Sequence, residues 1–220
     1  MTDSELRRLE RVFRESGSVE DEAAWLRARV RSGEVSEERL RLAAYVGHQA
    51  AALSLGPENP ERPEALDKWL RQLSSHWDQE ACVRAALAAI SVTPPEFRAN
   101  ARLAEVIALA ERWVLEPSDG RGNVAGLSTL STADQIGFQL GFGTREAKLA
   151  LVTAVQLQYT LTRRAGWGLP AGTVAGSLQK QWPNAPVRAA VTREVENWAL
   201  SYSDPIRERV EARRRDAQGG

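Results

Sequence analysis

The chain has 220 residues, 43% of them apolar and 26% charged, which is enough to bury a substantial core and excludes wholesale disorder. Its 29 basic residues balance 29 acidic ones, and a formal net charge of zero argues against a nonspecific polyanion binder. One cysteine excludes an internal disulfide framework, and two histidines leave little material for a metal centre.

The first residues, Met1 to Glu5, are polar and acidic and lead into a charged helix, so no signal peptide is expected. Thr2 and Glu5 have capping-box spacing, and Leu6, Leu9, Val12 and Phe13 form a helical stripe over residues 4–15. Ser18 with Asp21 marks the next cap, Val19, Ala23, Leu26 and Val30 the buried face, and Gly33 the stop. Ser36 starts a third helix, apolar on nearly all sides from residue 40 to 55, as a helix between other helices would be. In this reading His48 is a core histidine bonded to a carbonyl.

Residues 56–60, Gly-Pro-Glu-Asn-Pro, read as a loop. Leu66, Trp69, Leu70 and Leu73 follow at helical spacing, and Asp78 is the cap of an Ala-rich helix reaching Ile90. Thr93-Pro94-Pro95-Glu96 combines capping-box spacing with first-turn prolines. The helix it opens carries Leu103, Val106, Ile107, Ala110, Trp113 and Val114 on one side and stops before Pro117. Residues 117–144 are rich in Gly, Ser and Thr and read as a boundary or functional loop. An apolar helix over residues 145–164 follows; its most apolar run, residues 149–155, is too short to span a bilayer. Residues 165–170 break the pattern, helices through Leu178 and over residues 186–201 come next, and Asp204-Pro205 opens the last.

The fold expected is therefore all-α: antiparallel helix pairs packed as a bundle or a short helical-repeat solenoid. The repeat alternative rests on an echo between Leu73…Trp77 with Val83-Arg84-Ala85-Ala86, and Leu178…Trp182 with Val187-Arg188-Ala189-Ala190. Composition divides the chain into helical regions 1–116 and 145–220 joined by the segment 117–144, or leaves it as one continuous domain.

No constellation here carries chemistry. The run from Gly137 to Arg145 lacks the Lys-Ser/Thr ending of a phosphate loop and the preceding strand of a dinucleotide turn. It reads as a helix–loop–helix junction anchored by Phe138 and Phe142. Anion binding at Gly141-Phe142-Gly143 with Arg145 is the alternative. His76 and Cys82 are six residues apart and lack a third orienting group, so Cys82 reads as an inert small hydrophobe. No catalytic residue, cofactor-binding residue, metal ligand or cofactor is assigned.

Among seven tryptophans, Trp69, Trp113 and Trp198 lie on apolar stripes and are assigned to the core. Trp167 stands between two glycines and Trp182 precedes a proline, positions suited to interface anchors. The candidate partner-binding residues are Trp167, Phe142, Arg145 and Trp182.

The stretch from Leu6-Arg7-Arg8-Leu9-Glu10 through Gly17 to Leu26, then Leu40 to His48, resembles a helical module at the start of many uncharacterised bacterial proteins. Residues 77–89 and 104–113 are similar to helical proteins catalogued as immunity proteins of bacterial toxin systems. The resemblance covers roughly the first half and transfers no functional residue. With no signal peptide expected, a short apolar run and a lone cysteine, cytoplasmic residence is the default. Without a catalytic constellation the reading is a non-catalytic helical protein that binds one protein partner, and the resemblance implies an immunity protein or adaptor. A homo-oligomer, an anion- or nucleotide-binding module or enzyme built on the Gly-rich segment, and a nucleic-acid binder with clustered arginines are the other readings.

Overall fold

Gly33 ends a helix where the sequence placed a stop. A computed structural model describes residues 3–56, 66–76, 78–115, 145–162 and 168–218, and every regular element among them is a helix. The fold is all-α, with helix pairs packed against one another. It divides into two compact units that do not follow chain order. One comprises residues 1–62 and 192–205; the other comprises residues 63–191 and 206–220. The segment 116–144, which contains the Gly-rich stretch, lies outside the described residues.

In the first unit, α1 (Asp3–Ser16) packs on α2 (Val19–Ser32), which packs in turn on α3 (Glu37–Val46) and α4 (Gln49–Leu55). Ser18 caps α2 as its spacing predicts, its Oγ accepting the Asp21 N–H at 3.1 Å. The Ser16 and Ser18 hydroxyls both donate to the Asp21 carboxylate, which holds that group below the usual carboxylate range. Gly33 closes α2 in the left-handed region, and Ser36 Oγ caps α3 through the Arg39 N–H. Leu26, Leu42, Ala43, Tyr45 and Ala51 form the centre of this unit's core.

One expectation fails here. The apolar run 40–55 is not a single helix, because Gly47 takes φ 118°, a conformation closed to most side chains, and ends α3. His48 then adopts extended backbone and becomes the N-cap of α4. It does not donate to a carbonyl; its Nδ1 accepts the Ala51 N–H.

The second unit is built around α6 (Gln79–Ser91), every residue of which from Ala81 to Ile90 is buried. Around it pack α5 (Leu66–His76), α8 (Ala101–Leu115), α9 (Arg145–Thr162) and α10 (Gly168–Gln181). Small residues permit this. Ala81, Ala85 and Ala88 on α6, with Ala171, Gly172 and Ala175 on α10, let backbones approach while Leu70, Leu73, Leu157 and Leu178 fill the layers between. Asp78 caps α6 through the Ala81 N–H at 3.1 Å. Arg84, only 2% exposed, is neutralised one turn back by Glu80 at 2.9 Å.

Thr93 does not cap a long helix. Its hydroxyl donates back to the Ile90 carbonyl at 2.7 Å, and Pro94-Pro95 open only the four-residue α7 (Pro95–Arg98). Asn100 then caps α8, its Oδ1 accepting the Leu103 N–H. Residues 165–167 lie outside the described chain, but Gly168, Leu169 and Pro170 form the first turn of α10 and not a loop. α11 (Val187–Ala199) starts in the second unit and finishes in the first, and Pro205 begins α12 (Pro205–Gln218) as expected.

Candidate binding cleft on the first unit

α1, α2 and the turn after α11 enclose a cleft of about 680 Å³. Its floor is aromatic. Phe13 stacks on Trp25 with centroids 5.3 Å apart, and Trp25 stacks on Tyr202 at 5.8 Å with the planes 8° from parallel. Beneath them the Arg29 guanidinium lies 4.8 Å from the Trp25 centroid and 5.8 Å from that of Tyr202. Arg29 is itself 7% exposed, with Nη1 donating to the Leu200 carbonyl at 2.6 Å and Nε to Glu34 at 3.3 Å.

The local chain explains how Tyr202 gets there. Ser201 takes φ 54°, and the Ser201 and Tyr202 amides turn back to the Trp198 and Asn197 carbonyls. This is the left-handed helix ending usually given to glycine. On a residue with a Cβ it costs about 1–2 kcal/mol. Two contacts of the next residue hold that strain: the Tyr202 hydroxyl donates to Glu22 Oε1 at 2.6 Å, and the ring docks on Trp25.

Behind the floor lies a closed polar group. Glu22 Oε1 also faces His48 Nε2 at 3.4 Å, and the His48 ring sits edge-on to Tyr202. Burial pulls the His48 pKa down against the opposing charge of Glu22. Burial, and then the bond to Glu22, push the Tyr202 phenol up, so it stays protonated. These groups satisfy one another and present no activated nucleophile to the cleft. Among the described residues no group of three or more His, Cys, Asp or Glu side chains could hold a metal ion.

The rim is built from α1. Asp3, Arg7, Glu10 and Arg14 recur at helical spacing along the cleft with alternating sign, and Arg14 pairs with Glu10 at 2.6 Å. No α1 residue is buried, and the stripe Leu6, Leu9, Val12 and Phe13 is only half covered. The helix brings apolar and charged surface to one edge.

Of the candidate partner-binding residues, Trp167 and Phe142 lie outside the described chain. Arg145 is exposed at the start of α9. Trp182 is half-buried just beyond α10, its ring packed edge-on against Phe97 at 4.8 Å. Neither Arg145 nor Trp182 lines the cleft. Trp69, Trp113 and Trp198 are buried, as their stripes require. Cys82 is fully buried, and burial, with a smaller push from the Asp78 charge, drives its thiol up to about 12. The His76 side chain lies outside the described ones.

Sequence reasoning missed the cleft residues Tyr202 and Arg29, and Glu22 behind them. Only Phe13 and Trp25, on adjacent capped helices, gave a hint. No protein-family model, curated protein or solved structure matches the chain.

Proposed function

We propose that this protein is a non-catalytic helical interaction protein that recognises one protein partner through the cleft of the first unit. The observation that supports it is a Phe13–Trp25–Tyr202 floor backed by Arg29 and bordered by a helix whose apolar stripe is half covered. Tyr, Trp and Arg are the side chains that dominate binding hot spots. A rim of alternating sign selects a partner by charge pattern and does not suit a uniformly charged polyanion. An immunity protein or adaptor of a bacterial cytoplasm is the specific form of this reading, supported by the resemblance of the first half. Among the described residues no helix is long and apolar enough to cross a membrane.

The test is titration calorimetry against the product of the adjacent gene, with size-exclusion chromatography to register self-association. Tyr202→Ala removes a central anchor expected to contribute ~2 kcal/mol, so binding should weaken roughly thirtyfold. Arg7→Glu changes an exposed rim charge and should weaken binding without touching the core. Unchanged affinity in both variants would move recognition elsewhere, with Trp167→Ala and Phe142→Ala as the next variants in the same assay. A chain that binds only its own copies would replace the adaptor reading with an oligomer.

A further inference from the structure

α1 carries more apolar surface than the first unit covers. None of its 14 residues is buried, and Leu6, Leu9, Val12 and Phe13 remain only half covered. At 3.6 residues per turn, Asp3, Arg7, Glu10 and Arg14 fall within about 60° of one another around the helix. Leu6 and Phe13 lie next to this charged stripe, on the side of the aromatic floor. Asp3 and Arg7 form no ion pair with a described residue. Arg14 does pair with Glu10, but its side chain is 73% exposed, so that contact contributes little by itself and leaves both groups open to another partner.

The order of the charges says what fits beside them. Along α1 the stripe runs acid, base, acid, base, and the same stripe read backwards is its complement. An antiparallel second copy of α1 therefore sets Arg14 opposite Asp3 and Glu10 opposite Arg7, and the two-fold axis repeats both pairs. The stripe also disfavours other arrangements. A parallel copy in register puts like charge on like at all four positions, and an antiparallel copy slipped by one turn sets Glu10 against Asp3 or Arg14 against Arg7. Exposed ion pairs fix register and orientation more than affinity. Affinity comes from Leu6, Phe13 and the Tyr202 ring, 37% exposed, which a helix lying along the cleft would cover. We infer that α1 pairs antiparallel with α1 of a second copy of this chain, Asp3 against Arg14 and Arg7 against Glu10, in a weak homodimer that covers the cleft. The dimer goes beyond the protein-partner reading: it forms without that partner, which would have to displace the second copy to enter the cleft.

Sedimentation velocity of the full chain, from about 10 µM to about 1 mM, should show a monomer–dimer equilibrium, and a chain still monomeric at the upper limit overturns the proposal. Arg7→Glu puts acid against Glu10 in both halves of the dimer, and Glu10→Arg puts base against Arg7. Each should weaken the dimer by about tenfold or more. Mixed in equal amounts, the two variants should associate to within about threefold of the parent, because one chain then carries acid at both positions and the other carries base. Variants that dimerise like the parent, or a mixture that stays monomeric, end the proposal. Should either variant fail to fold, amide shifts of the parent on dilution decide: changes confined to α1 and the surroundings of Tyr202 sustain it, and dispersed or absent changes end it. Self-association is measured with no partner present, so its failure leaves the partner reading standing, and failure of partner binding leaves the dimer standing.

Discussion

His48 Nδ1 accepts the Ala51 N–H at 3.2 Å while its Nε2 faces Glu22 at 3.4 Å, so one neutral imidazole both caps α4 and ties it to α2. The cap requires a lone pair on Nδ1, and protonation there removes it.

Stability should therefore fall on mild acidification. The folded His48 pKa lies below the ordinary 6.5 through burial, so the unfolded chain takes up the proton first. The stabilisation is fully present above about pH 6.5 and is lost as pH falls through the lowered folded value. His48→Asn caps without titrating in this range. Thermal melts at about pH 7.5 and about pH 5 should show a larger drop for the parent than for the variant; parallel profiles would show that His48 does not govern this window.

The Tyr202 hydroxyl should be separable from its ring. Tyr202→Phe keeps the stack on Trp25 but leaves half-buried Glu22 short of a donor, at a cost of about 1–3 kcal/mol. Tyr202→Ala loses the stack as well and should cost more. Urea denaturation resolves the two: equal effects would mean that the ring stack contributes nothing, and a Tyr202→Phe variant as stable as the parent would mean that the hydroxyl bond contributes nothing.

Cys82 should be silent in the native state. With the thiol fully buried and raised to about 12, labelling by a soluble thiol reagent at neutral pH should be at least ~100-fold slower than in denaturant. Fast, stoichiometric labelling of folded protein would show that α6 opens far more readily than its packing indicates.

Local signals carried most of the fold. Ser18, Ser36, Asp78 and Pro205 announce helix starts through their own hydrogen bonds or ring geometry, and Gly33 announces a stop, all within a few residues. The break at Gly47 was hidden because the residues around it are apolar, so periodicity continues across it. Of the cleft, only Phe13 and Trp25 left a local sign. Tyr202 meets Glu22 across 180 positions and Arg29 meets Leu200 across 171, and no local pattern encodes such pairings. Ser201, a non-glycine residue in the left-handed region, gives no compositional sign of its geometry.

The division of the first unit between residues 1–62 and 192–205 has a consequence for biosynthesis. Trp25 and Arg29 leave the ribosome early, while Leu200 and Tyr202, which cover them, emerge much later. At translation rates of 5–20 residues per second the delay is roughly 10–40 s. Through that interval the nascent chain holds Trp25 without the Tyr202 ring and Arg29 without its Leu200 acceptor, a surface suited to chaperone capture. A ribosome stalled before residue 192 would release a polypeptide able to build much of the second unit but not to close the first.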